Sequence, residues 1–155
     1  MTKERSYTIF INNLKKYCAI QERCKWDVVQ KMKKLSISKS CQTNILEELI
    51  KEKYLDEERY SKSFCRGKFK TNKWGRNKIK SEMRKRKISE LYIKKGLQEI
   101  NPYEYELELN QQYHKKKNIT KAKNNHQKQA KIALYLISKG YESELIWEKI
   151  RQFQE

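Results

Sequence analysis

One proline and four glycines in a chain of 155 residues leave little to interrupt a helix. Cys18, Cys24, Cys41 and Cys65 form no CxxC pair, and His114 and His126 do not complete a zinc-ligand spacing with them. They read as small apolar fillers and surface residues in a reducing compartment rather than as metal or redox groups. No apolar run approaches the roughly 20 residues that a bilayer-spanning helix needs. Met1 to Arg5 leads into no apolar stretch, so a secretory leader is not expected and a cytoplasmic location is. GxGxxG and GxxxxGK phosphate loops are missing, as is any catalytic constellation, so neither a cofactor nor an enzymatic activity is expected.

What is present is positive charge. Lys and Arg number 37 against 19 Asp and Glu, a formal net charge of +18, and such an excess favours polyanionic partners. The chain still has the means to fold, because ten Tyr, three Trp and four Phe supply large apolar surfaces.

The residues repeat with a period near fifty. Val28, Met32, Ile37 and Ser38 become Ile79, Met83, Ile88 and Ser89 at a step of 51, then Ile132, Leu136, Tyr141 and Glu142 at a further 53. Leu46 and Leu49 continue as Leu97 and Ile100, then Ile150 and Phe153; Gln42 breaks a column that otherwise holds Ile93 and Ile146. Apolar residues four apart, a turn, then apolar residues four and three apart describe two amphipathic helices. A further helix precedes each pair. Tyr7, Phe10, Leu14, Tyr17 and Gln21 mark the first, and Tyr60, Phe64 and Phe69 the second, after the acids Asp56, Glu57 and Glu58 that suit a helix N-terminus. Asn101-Pro102 opens the third, with Tyr103, Leu107 and Asn110 expected to face inward. Gly75 and Gly140 lie near helix boundaries.

The expected fold is therefore all-α: three tandem three-helix repeats, residues 6–54, 55–100 and 101–155, in an elongated, curved array. A single irregular bundle is the alternative. Lys115 to Asn125 is polar and is expected to form a loop, or to order on a polyanion. Trp26, Trp74 and Trp147 are expected to be packing residues near helix ends rather than base-stacking platforms.

The charge is clustered. Arg66 to Lys87 holds eleven Lys or Arg and one acid, Glu82, and Lys115 to Lys131 holds seven Lys and no acid. With Ile79 and Met83 turned inward, Arg76, Lys80, Arg84 and Lys87 gather on one helix flank. Arg66, Lys68, Lys70, Lys73, Arg76, Lys80, Arg84 and Lys87 are the expected contact set for phosphates or an acidic protein. The competing reading is a solvated flank whose stems cover apolar surface.

The stretch Tyr54-Leu55-Asp56-Glu57-Glu58-Arg59-Tyr60, continuing through Phe64, Lys68-Phe69, Asn72-Lys73-Trp74-Gly75 and Lys78-Ile79, resembles the central signature of the RecX regulatory proteins. Cys18 to Asp27 and Tyr141 to Ile150 are similar to that family's first and third modules. The resemblance implies three tandem modules in a crescent and no catalytic residues. It also implies binding to RecA filaments on single- and double-stranded DNA, with inhibition of strand exchange, ATP hydrolysis and co-protease activity. A monomer is expected. Two departures stand out: Gly67, where a charged residue is commoner, and a first module whose second helix looks unusually short. The rival readings are a general DNA- or RNA-binding protein acting without RecA, and a helix-turn-helix transcription regulator, against which stands the threefold recurrence of the pattern.

Overall fold

The computed structural model describes residues 3–153 and is all-helical. Three triplets follow one another: α1 (Lys3–Ile20), α2 (Lys25–Lys34) and α3 (Lys39–Lys51); α4 (Glu57–Lys70), α5 (Arg76–Lys85) and α6 (Glu90–Leu97); α7 (Pro102–Ile119), α8 (Asn125–Ser138) and α9 (Ser143–Gln152). The accessible surface of 10290 Å² exceeds the roughly 8300 Å² of a compact monomer of this mass, so the array is elongated. α2 and α5 are both ten residues long, so the expected shortness of the first module's second helix does not hold.

The repeat columns are the core. Val28, Ile79 and Ile132 are buried at equivalent places, as are Met32, Met83 and Leu136, and then Ile37, Ile88 and Tyr141. Ser38, Ser89 and Glu142 are the N-cap residues of α3, α6 and α9. One position before Ile37, Ile88 and Tyr141 the chain turns left-handed in every triplet, at Ser36 (φ 56°), Lys87 (φ 58°) and Gly140 (φ 100°). Side chains other than glycine meet a steric cost there. Asp56 caps α4 by accepting the Arg59 N–H at 3.0 Å, and Asn101 caps α7 by accepting from Tyr103 and Glu104.

Three expectations are corrected. Along α1 the buried line is Ile11, Leu14 and Cys18, with Tyr7, Phe10 and Tyr17 half-buried beside it and Gln21 exposed beyond the helix end. Along α7 the inward face is Tyr105, Glu108, Leu109, Gln112 and Tyr113, whereas Tyr103 and Leu107 face solvent and Asn110 is half-buried. The expected phase was off because two polar residues point inward; Gln112 donates to Glu108 at 2.9 Å, satisfying the buried carboxylate locally. Finally, α7 runs to Ile119, so Lys115 to Ile119 is helix and only residues 120–124 connect to α8.

The first triplet has its own core around Leu14, Val28, Met32, Ile45 and Leu49. The second and third share one, running from Phe69, Ile79 and Met83 to Tyr105, Leu136 and Ile146. We propose the division into units 6–54, 55–100 and 101–155 on the helix triplets rather than on separate cores; residues 154 and 155 lie outside the described residues. The shared core depends on a backbone contact. The Gly75 N–H donates to the Lys139 carbonyl and the Asn77 N–H to the Gly140 carbonyl, each at 2.8 Å. A Cβ on Gly75 would sit 2.3 Å from the backbone of Gly140 and Tyr141. Within the second triplet, Gly96 lets α6 lie against α4, since a Cβ there would come within 2.6 Å of the Ser61 carbonyl oxygen.

Gly67 is the opposite case, a glycine inside α4 with nothing within 4 Å of a Cβ. Urea unfolding should therefore separate the glycines by sign. Gly67→Ala is expected to stabilise by about 0.5–1 kcal/mol through helix propensity, while Gly75→Ala and Gly96→Ala each destabilise by about 1–3 kcal/mol through overpacking. Equal effects at the three sites would contradict the packing described. The thiols offer a second check. Burial pushes Cys18 up to about 11 and Cys24 and Cys65 up to about 12, so these three stay protonated and covered at pH 8. Half-buried Cys41 should be alkylated first under native conditions, with the other three reacting only after denaturation, as mass spectrometry would read.

Candidate polyanion interface

The eight cations singled out from the sequence have different occupations. Arg76 is a structural residue at the joint between the second and third triplets. Its guanidinium lies 3.8 Å from the Tyr105 ring centroid and donates to Glu142 at 2.7 Å, while its backbone N–H donates to the Tyr105 hydroxyl at 3.0 Å. That hydroxyl donates in turn to Glu142. Burial, and then this bond to a carboxylate, hold the Tyr105 phenol well above its ordinary value. Lys73, left-handed at φ 60°, accepts the Tyr141 hydroxyl on its carbonyl at 2.8 Å and sets its ammonium 3.9 Å from buried Glu108. Arg66 and Arg84 are bound to exposed partners, Glu99 at 2.6 Å and Glu90 at 2.8 Å. Lys68 lies over Phe64 and Trp74. Lys70, Lys80 and Lys87 make no ion pair among the described residues.

Arg76, Lys80 and Arg84 do come together on one side of α5, where they line a groove of about 620 Å³ with Lys94 of α6. Lys87 does not join them. It lines a different cleft, with Lys25, Trp26, Val29, Gln30, Lys33, Glu57 and Arg86, of about 320 Å³. Arg86 is also part of a cleft of about 430 Å³ lined by Arg23, Ser63, Phe64, Gly67, Lys68, Thr71 and Asn72, together with Glu22 and Asp27. The two clefts thus meet at Arg86, in the joint between the first and second triplets.

This joint was not expected from the sequence. Arg23, Lys25, Lys33 and Arg86 were outside the contact set, because helical periodicity relates neighbours on one helix and not residues sixty apart. The joint gathers six cations (Arg23, Lys25, Lys33, Lys68, Arg86 and Lys87) and two partly exposed aromatic rings, Trp26 and Phe64. Two of its acids have hydrogen-bond partners. Glu22 accepts from Arg59 at 2.6 Å and Asp27 accepts the Cys24 N–H at 3.1 Å. Burial raises the pKa of Glu57, against the lowering effect of Lys25 beside it. Arg86 is held against Trp26 and Phe64 at 5.7 and 5.3 Å from the ring centroids, and donates to Glu82 at 3.1 Å. Gly67 widens the cleft where a side chain would line it. A groove with cations along its walls and ring faces between them suits a phosphate chain with bases.

Trp74 is a packing residue, with Lys68 and Lys78 over its ring, and Trp147 lies within α9 rather than near its end. No three of the described His, Cys, Asp or Glu residues are arranged to hold a metal, and no described helix is long and apolar enough to cross a membrane.

Comparison with known proteins adds the following. The family models of the second and third three-helix domains of RecX match residues 56–97 and 104–150. A protein named "Regulatory protein RecX" from Caldanaerobacter subterraneus subsp. tengcongensis is 33% identical over 93 residues, 60% of this chain and 44% of that protein. The protein of the same name from Streptococcus uberis is 30% identical over 87 residues, 56% of this chain and 34% of that protein. The matched stretches thus span less than half the length of these relatives. Among solved structures, "Crystal structure of regulatory protein RecX" superposes with a TM-score of 0.85 at 21% identity, over 94% of this chain and 73% of that one. RecX from Lactobacillus salivarius gives 0.82 at 21% identity, over 96% of this chain and 97% of that one. At that identity the structures establish the fold.

The division of the cations into structural and available ones is testable by melting. Arg76→Glu removes a charged hydrogen bond worth about 1.5–3 kcal/mol and should lower the Tm by roughly 5–10 °C. Lys80→Glu, on the same helix with no ion-pair partner, should leave the Tm within about 2 °C. Equal shifts would show that Arg76 does not hold the joint.

Proposed function

The chain belongs to the RecX family, and on that premise we propose that it is a non-enzymatic regulator that binds RecA–DNA filaments and restrains them. The observation that carries this is the joint between the first and second triplets. Six cations and two ring faces from α2, α4, the turn before α2 and the turn after α5 line two clefts that meet at Arg86. In this reading the joint clefts meet DNA phosphates, and Arg66, Lys68, Lys70, Lys80, Arg84 and Lys87 of the original set extend the contact with the filament, its DNA or its protein, along the second triplet. Arg76 and Lys73 stay in the set as residues that hold its geometry.

An elongated array can touch several recombinase protomers and the intervening nucleic acid at once. Each contact is weak, but the attachment is multivalent, so affinity rises far more than any one ion pair suggests. A body seated this way obstructs subunit addition and the motions that accompany ATP turnover. The setting is the cytoplasm, where the recombinase and its DNA are, and the regulator acts as a monomer.

The test compares DNA alone with recombinase-coated DNA. The chain is expected to prefer the filament and to slow strand exchange and ATP hydrolysis. Its affinity should fall steeply with salt, with log K against log salt sloping by about 0.7 per phosphate contact on single strands and 0.9 on duplex. Lys33→Gln combined with Lys68→Gln should flatten that slope by about 1.4–1.8 while leaving the melting curve in place. Equal affinity for bare DNA and filament would favour the general nucleic-acid-binding reading. An unchanged slope in the double variant would remove the joint clefts from the proposal.

A further inference from the structure

The groove on the other side of α5 differs in kind from the joint clefts. Its floor is apolar, made by Ile93, Leu97, Ile100 and the ring of Pro102, and its rim carries Arg76, Lys80, Arg84 and Lys94. Arg76, Lys80 and Arg84 recur every four residues and so form one rail, about 12 Å long at the helical rise. A phosphodiester chain would satisfy the rail but gain nothing from the floor, and would desolvate charge over apolar surface. An occupant that gains from both brings apolar side chains and carboxylates together.

The rim already shows how it holds a carboxylate. Both oxygens of Glu90 are taken by Arg84, through Nε at 2.8 Å and Nη2 at 3.2 Å, in the paired geometry that guanidinium groups favour. The two side chains are 56% and 69% exposed, so this pair contributes little to folding and exchanges readily for another carboxylate. Lys80 and Lys94 have no ion-pair partner among the described residues and remain available. The rail runs along two turns of α5, matching two turns of a guest helix laid beside it.

We propose that the α5–α6 groove is a docking site for an acidic amphipathic segment of a protein partner, with apolar anchors on the Ile93–Leu97–Ile100 floor and carboxylates on Lys80, Arg84 and Lys94. This deepens the filament reading and rests on it, since it gives part of the basic surface a protein partner while the joint clefts take phosphates. The mode is helix-in-groove recognition, with charge complementarity fixing orientation.

The experiment titrates the isotope-labelled full chain with a synthetic acidic peptide of about sixteen residues carrying leucines four and three apart, the spacing of one helix face. The controls are the same peptide with its leucines replaced by serine, and oligothymidylate of equal charge. The leucine peptide is expected to shift the amide signals of Lys80, Ile93, Lys94 and Leu97. It should bind at least tenfold tighter than the serine peptide and lose at least tenfold in Lys80→Glu/Lys94→Glu, a variant whose substitutions touch no ion pair. The proposal is overturned if the serine peptide binds equally well, or if oligothymidylate shifts the same signals and displaces the leucine peptide. The two readings separate cleanly. Filament inhibition without peptide binding would remove the groove and keep the filament; peptide binding by a chain that fails to inhibit would do the reverse.

Discussion

Two bare stretches of backbone, at Gly75 and Gly140, set the geometry from which the rest of the second and third triplets follows. With no Cβ on either side, the turn before α5 and the turn after α8 come close enough to exchange two hydrogen bonds. That approach delivers Tyr141 to a place where its ring lies 5.3 Å from Tyr105, which is itself 5.7 Å from Phe69, so three aromatic rings from three parts of the chain pack in series. It also brings Glu142 to Arg76 and the Tyr141 hydroxyl to the Lys73 carbonyl. The polar groups at this joint are therefore satisfied across it, which makes it stiff as well as close.

The equivalent joint between the first and second triplets is built differently at the same columns. Counting back by one repeat, Gly75 becomes Cys24 and Gly140 becomes Lys87. Both carry side chains, and among the described residues no backbone hydrogen bond joins the turn before α2 to the turn after α5. Contact is made instead by side chains: the Cys24 thiol enters the core of the second triplet, and Arg59 reaches back to Glu22. The two clefts lie at this joint, beside the buried Cys24. One fold thus yields a sealed joint and an open one, and the positive charge collects at the open one.

Much of this architecture was legible because burial in a helix is periodic. Val28, Ile79 and Ile132 sit in phase, and Ser38 and Ser89 announce helix starts, so triplet number and order could be read directly. Glu142 in the same column was the visible irregularity; it occupies the N-cap position of α9, but its side chain makes no capping hydrogen bond and binds Arg76 instead. The column of Ile45, Gly96 and Lys149 stayed hidden because its members share no chemistry. Gly96 is there for the approach of Ser61, and Lys149 buries its stem while its ammonium reaches Glu106 at 2.6 Å. The site was legible only where it lies along one helix. The Arg76–Lys80–Arg84 rail follows from 100° per residue, whereas the meeting of Arg23 and Arg86 in one cleft depends on how two triplets pack.

The net charge of +18 overstates what a partner would find. Arg76 and Lys73 are committed to Glu142 and Glu108, and Lys149 to Glu106; these cations neutralise carboxylates within the fold. Arg66 and Arg84 hold exposed acids that water competes for, so they are available at small cost. Around Arg86 the two clefts set six cations beside Glu22, Asp27 and Glu57, with Arg86 itself held to Glu82, so a positive excess is left where the first two triplets meet. Anionic groups placed there would offset that excess and meet Arg23, Lys25 and Lys33 of one triplet together with Lys68 and Lys87 of the next.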